Sequence, residues 1–332
     1  MSWTIGNYAL SQVQMNANAV EVYKYFSGRG WSLNAIAGIL GNMQSESYVN
    51  PGVWQSLNEG NYSGGFGLVQ WTPATNYTNW ATANGYSITD PNGQLYWIDT
   101  LSESTGQWIP TSSYNMSWVA FKTSGSSPED LASAFLKNFE RAGVEVESAR
   151  RSQARSFYNL LSQYDTNSKA IESAVQWAIG IANDNSHGYD QGSRWGPDYD
   201  CSSLLITAYQ QAGIKVKDAG ATYTGNMYAA FKSCGFQDVT GSVNLSSGSG
   251  VQRGDILLNV ASHTAMSIGN GQVVQASQNE NGGATGGATG DQTGQEIWCT
   301  SYYNFPWDYV LRLPGGSTGT TTSVYIVQWI PG

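Results

Sequence analysis

The chain has 332 residues, enough for about two domains, each large enough for a core of its own. Its 15 Lys+Arg against 24 Asp+Glu give a formal net charge of −9, which argues against nucleic acid or an anionic membrane as the main partner, because both need clustered positive charge. Only 12% of residues are charged, 13% are aromatic and 39 are glycine, a balance that argues against disorder and for a surface of Ser, Thr, Asn, Gln, Tyr and Trp suited to polymeric sugars.

Other exclusions follow from single residue types. Three cysteines cannot build a disulfide framework. Two histidines, His187 and His263, are too few for a His-rich zinc site, so no metal or cofactor is expected. No apolar run of about 18 residues exists, so no membrane span is expected. Met1 to Leu10 lacks the basic start and apolar centre of a secretion signal, so action outside the producing cell would need another carrier.

In chain order, residues 1–163 read as mainly helical. Val20 to Phe26 fit one helix, ended by Gly28 and Gly30. Ser32 is a good N-cap for a second. After it Leu33, Ile36, Ile39, Leu40 and Met43 recur at three and four residues, the stripe of an amphipathic helix. Asn50-Pro51-Gly52 breaks that pattern. Further helices are predicted from about Pro128 to Gly143 and from Val144 to Tyr164. The polar stretch Gln163 to Lys169 reads as a linker, placed at residues 164–169.

Residues 170–314 change character. Ala170 to Ala182 and Ser202 to Ala212 read as helices, separated by a Gly-rich loop to Asp200. Strand-like segments follow at Asp255–Leu258, His263–Ile268, Val273–Ala276 and Trp307–Leu313. Gly269-Asn270-Gly271 is a hairpin signal. Gly282 to Gly290 (GGATGGATG) reads as a flexible loop. This half is therefore expected to be α+β, helices first and then a meander. The tail, residues 315–332, is uncharged and carries one strand-like segment, Ser323 to Ile330. It reads as an edge strand or as a segment that docks on a partner by strand addition.

Candidate chemistry in the first half centres on Glu46, in AIAGILGNMQSESYVNPGVW. It sits where the helix runs out, at the negative end of the macrodipole, with Met43, Val49 and Val53 to desolvate it. Both effects disfavour the ionised form, as a general acid for glycosidic cleavage requires. The same residue also reads as a solvated glutamate at a helix end. In GGFGLVQWTP, Phe66 and Trp71 offer flat faces to a sugar ring and Gln70 an amide. A buried aromatic turn is the competing reading.

The segments LSQVQMNANAVEVYKYF, GWSLNAIAGILGNMQSES, NPGVWQ and GFGLVQWTP together resemble the phage tail-tip lysozyme family over most of residues 10–163. The resemblance implies a lysozyme-like fold and a β-1,4-glycosidase acting on peptidoglycan. It places the catalytic glutamate of the NMQxES segment at Glu46. The second carboxylate stays open. Glu59 is the only other acid between Glu46 and Trp80 and leads the candidates, with Asp90, Asp99 and Glu103 behind it. A lone acid with a bound water is the remaining arrangement.

In the second half, Cys201 directly precedes the helix from Ser202. A thiol at a helix N-terminus feels the positive dipole end, which favours thiolate. It needs a base, and His263 opens a predicted strand. A hairpin would return Gln275, twelve residues on, beside His263, where it could fix the imidazole tautomer. A buried structural cysteine and a surface histidine are the competing readings.

YDCSSLLITAYQQAG, RGDILL and HTAMSIGNGQVVQAS resemble, in that order, the NlpC/P60-type cysteine peptidases, over roughly residues 170–313. The resemblance implies a papain-like α+β domain. It carries the nucleophile to Cys201, the base to His263 and the third residue to Gln275, a position that is often His in that family. Tyr189 matches a tyrosine lining the family's site. Asp200 matches the acid before the nucleophile and is expected to hold structure. Cys234 and Cys299 are expected to be free, buried thiols. His187 reads as a loop residue or a groove wall.

Together the resemblances imply one chain with a glycan-cutting and a peptide-cutting domain, acting on the peptidoglycan of a Gram-positive host. They imply a phage virion location at the tail tip, beside other tail proteins. The alternatives are an endolysin released for host lysis and a structural tail-tip plug with degenerate sites.

Overall fold

A computed structural model divides the chain into two compact units, Met1–Gln163 and Tyr164–Gly332. It describes residues 3–141 and 146–315. The predicted tail strand lies outside the described residues. Helices and one antiparallel sheet make the chain mixed α+β.

The first unit is built round two helices, α1 (Gln12–Ser27) and α2 (Leu33–Ser47). The Ser32 hydroxyl caps α2 by accepting the Ala35 N–H at 3.1 Å. Of the predicted stripe, Ile36, Ile39, Leu40 and Met43 are fully buried and Leu33 half-buried, but Ala35, Ala37, Gly38, Gly41 and Asn42 are buried too. The helix is therefore central, not amphipathic, up to Met43. Gly41 explains part of this. A Cβ there would lie 2.4 Å from the Arg150 carbonyl oxygen and 2.8 Å from the Ala154 nitrogen. Only glycine lets α2 approach the next long helix that closely.

Three short helices follow, α3 (Thr75–Ala83), α4 (Pro91–Leu101) and α5 (Trp118–Lys122), which the apolar spacing did not reveal. Trp31, Trp108 and Phe135 pack edge to face or tilted on Trp118 and Phe121 of α5, which stack on each other. The helix α6 (Pro128–Phe135) then widens into one π-helical turn, Leu136–Glu140. It ends at Arg141, which is left-handed (φ 50°), short of the expected Gly143.

The segment expected as a linker, residues 164–169, is helical, and the two units divide at its start, between Gln163 and Tyr164. A single helix, α7 (Glu147–Ala182), runs straight through it. The stretch is polar but holds neither Gly nor Pro, and polarity alone does not stop a helix. Asp165 and Lys169 pair at 2.7 Å one turn apart, and the Ser168 hydroxyl donates to the Tyr164 carbonyl.

The second unit adds α8 (Cys201–Gln211) and α9 (Thr224–Ser233) to six strands. These are β1 (Gln237–Asp238), β2 (Ile256–Asn259), β3 (His263–Gly269), β4 (Gln272–Ala276), β5 (Ile297–Ser301) and β6 (Tyr309–Arg312). Their antiparallel order is β1-β6-β2-β3-β4-β5, so β2 to β5 form the meander and β6 returns beside β2. Asn270 and Gly271 both have positive φ (54° and 69°), the tight turn that the sequence signalled. Met266 and Val274 face the helices with Leu204, Leu205 and Tyr209. Leu257, Ala265, Val273, Trp307 and Val310 make a smaller cluster of their own.

The glycine-rich loop is pinned rather than loose. Asn279 Oδ1 accepts the Gly283 N–H, the Gln191 N–H reaches the Ala284 carbonyl, and the Gly290 N–H bonds Asp198. Composition registered the glycines but not these anchors.

Candidate active sites

The first unit holds a cavity of about 740 Å³, lined among others by Glu46, Tyr48, Gln70, Trp71, Glu140 and Arg141. Glu46 stands in the last turn of α2 with its side chain 21% exposed. Arg150, from α7, donates to its Oε1 at 2.6 Å. Arg150 is itself buried and held by the Asn42 side chain at 3.2 Å. The close approach at Gly41 brings α7 near enough for this contact.

Glu59 is exposed on the turn after Leu57 and does not line the cavity. Asp99 is spent on structure, accepting the Trp31 indole N–H and pairing with Lys122. Asp90 caps α4 and Glu103 is exposed. The second carboxyl in the cavity wall is Glu140, which sequence reasoning missed. It lies 94 residues beyond Glu46, and no local spacing announces it. Burial, reinforced by the neighbouring Glu46 charge, holds its carboxyl well above the usual carboxylate range, against the pull of Arg150 and Arg141. Its Oε1 is buried without a hydrogen-bond partner among the described residues.

The expected sugar platforms are corrected in part. Phe66 is fully buried, 4.5 Å from the Trp54 ring and bridged through its backbone to Trp71, so it offers no open face. Trp71 lines the cavity but is 3% exposed and stacked on Tyr77 at 4.5 Å. Gln70 also lines it, yet its amide N–H groups already donate to the Val53 and Gly67 carbonyls. That leaves its Oε1 to accept. Tyr48, 45% exposed at the left-handed cap of α2, is the open aromatic that the sequence reading overlooked.

In the second unit the structure groups Cys201, His263, Gln275 and Tyr189. Cys201 is the first residue of α8 and 5% exposed. Asp200 caps that helix, accepting the Ser203 N–H at 2.7 Å and pairing with Arg194 at 3.1 Å. The expected thiolate is corrected here. Burial, with the Asp200 charge beside it, pushes the Cys201 thiol up to about 11, against the Thr264 and Ser202 N–H groups that favour sulfur charge. Burial first, and then the Asp200 carboxylate that caps the helix, outweigh the dipole.

Thr264, the residue after His263 on β3, turns its backbone N–H to the Cys201 sulfur, which places β3 beside the start of α8. His263 Nε2 lies 2.8 Å from Gln275 Oε1. Tyr303, which sequence reasoning also missed, donates its hydroxyl to the same oxygen at 2.5 Å. An oxygen that accepts from Tyr303 faces a protonated Nε2, so Nδ1 keeps its lone pair. Burial lowers the imidazole pKa, opposed by the Gln275 bond. The ring packs against Trp307 at 6.0 Å and edge-on to Phe305 at 5.6 Å. Tyr189 is buried, its hydroxyl pushed up to about 12 by burial and the nearby Cys201. His187 is tied to the Pro197 carbonyl at 2.6 Å. Cys234 and Cys299 are free but half-buried, not buried as expected. No cluster of His, Cys, Asp and Glu among the described residues could hold a metal ion. No helix among them is long and apolar enough to cross a membrane.

Residues 17–161 match the family described as phage tail lysozyme. Residues 196–274 and 273–328 match the family described as endolysin-like domain. The chain is also similar to morphogenesis protein 1 of Bacillus phage B103, with 44% identity over 156 residues. That match covers 47% of this chain and 42% of the relative, so the chain spans under half of the relative's length. The chain thus carries a phage tail lysozyme-type region followed by an endolysin-like region.

Proposed function

We propose that the chain is a bifunctional peptidoglycan hydrolase of a phage virion, placed at the tail tip to open a Gram-positive wall for DNA ejection. The observation that carries the reading is the pairing, in one chain, of an acid-lined cavity in the region of the tail lysozyme match with Cys201, His263 and Gln275 inside the endolysin-like match. The first domain is lysozyme-like, residues 1–163, and the second is papain-like, residues 170–314.

In the first domain Glu46 gives a proton to the glycosidic oxygen as the C1–O bond of the glycan breaks, and water completes the cleavage. Tyr48 and the Oε1 of Gln70 face the sugar. In the second, the neutral His263 Nδ1 takes the Cys201 proton as sulfur attacks a wall peptide carbonyl. His263 returns that proton to the departing amine, leaving a thioester that water hydrolyses. Gln275 and Tyr303 hold the tautomer, and Tyr189 walls the site. The uncharged tail serves docking to other tail proteins. Neither step calls for a metal or cofactor.

Mass spectrometry of fragments from purified Gram-positive sacculi tests this. The reading expects fragments with new reducing ends and fragments with new amines, whose masses separate an amidase from an endopeptidase. Release of neither from several wall types would overturn it in favour of a structural tail plug. The endolysin-like match supports a second reading, release for host lysis. Recovery of the chain from purified virions decides for the first, and its absence from them for the second.

A further inference from the structure

Glu140 is a half-buried acid, its Oε1 buried, in the wall of the first unit's cavity, and the mechanism above leaves it unused. Three charged groups act on it. Glu46 comes from α2, Arg150 from α7, and Arg141 follows it in the chain. Arg141 is exposed and already donates to the Gln107 and Asn138 carbonyls. Arg150 is buried, and its Nε has no hydrogen-bond partner among the described residues. Arg150 pairs with Glu46, and Glu140, in the wall of the same cavity, feels the charge of both. With both ionised, the trio carries a net negative charge in a poorly hydrated wall. With one proton between them it is neutral, the state that burial favours. The Glu140 Oε1 without a partner fits a group that does not carry the full charge in the state seen.

We propose that Glu140 is the second carboxyl of the glycan cleft and that it shares one proton with Glu46 across Arg150. In the resting state Arg150 pairs with Glu46 and the proton sits on Glu140. When the guanidinium turns to Glu140, the proton passes to Glu46, which gives it to the glycosidic oxygen as the C1–O bond breaks. The water that adds to C1 releases a proton, which restores the pair. Glu140 is thus a positioning residue that acts through Glu46, and the inference rests on Glu46 being the glycosidic acid. Interacting groups titrate as a pair, so the cleft keeps its proton to higher pH than a lone glutamate would.

The test is the pH profile of reducing-end release from sacculi by the full chain. Glu140→Gln should move the alkaline limb down by about one pH unit, a loss of about tenfold on that side and a smaller one at acid pH. Glu140→Asp, which keeps a titratable group, should restore part of the shift. A limb that stays in place, or an equal loss at every pH with no rescue by Asp, overturns the proposal. Should Glu140→Gln fail to fold, ¹³C-carboxyl titration of Glu46→Gln decides. Glu140 must then titrate lower than in the parent chain, and an unmoved value overturns the proposal. If Glu46→Gln still releases reducing ends, the reading of Glu46 fails instead.

Discussion

The proposed glycan site and the thiol site use burial in opposite ways. In the first unit a buried guanidinium stands beside two half-buried carboxyls, and in the proposed reading the chemistry lies in how they divide charge. In the second, the sulfur is held neutral and the imidazole pKa is lowered, so charge appears only when a proton moves from one to the other. The contrast follows from what lies next to each group. Arg150 stands beside Glu46, whereas Asp200 stands beside Cys201. A nucleophile beside a carboxylate cannot store a negative charge and must receive it during reaction.

The comparison is broken most sharply by Cys201→Ala, expected to lower amine release by at least about 10³-fold while reducing ends still form. Residual amine release near the parent rate would show that the sulfur is not the nucleophile. Next in size is Arg150→Leu. Leaving the half-buried Glu46 without its partner should cost about 1–3 kcal/mol, read as a fall in Tm of the first unit. Gly41→Ala should cost about 1–3 kcal/mol in the same unit, because its Cβ meets the α7 backbone. Denaturant unfolding checks it, and an unchanged midpoint would contradict the tight packing. Tyr303→Phe removes one hydrogen bond to Gln275 and should slow peptide cleavage by about tenfold or less.

The smallest effect is on pH. Burial depresses His263, so its folded pKa lies below its unfolded one. The unfolded chain then binds more protons, so the contribution is full above the unfolded value of about 6.5 and is lost as pH falls through the folded value. Peptide cleavage should accordingly keep its acid limb below about pH 6.5. A limb above that value would contradict a buried neutral base.

Legibility in the sequence followed distance along the chain. Ser32, the buried residues of α2 and the Gly269–Gly271 turn were readable because caps, periodicity and turns are local. The His263–Gln275 contact was readable because a tight hairpin fixes which residues meet. Glu140, Arg150 and Tyr303 were not, since each reaches its partner across 28 residues or more by tertiary packing. The helix through residues 164–169 was missed because a polar surface was read as a break. Phe66 was misjudged because aromatic type does not reveal which face is covered.

The most direct test of two independent sites in one chain is complementation. Glu46→Gln and Cys201→Ala are incubated with sacculi separately, together and as the double variant. The account predicts amines without reducing ends from the first, reducing ends without amines from the second, both from the mixture and neither from the double variant. Both fragment types from either single variant, or neither from the mixture, would contradict it.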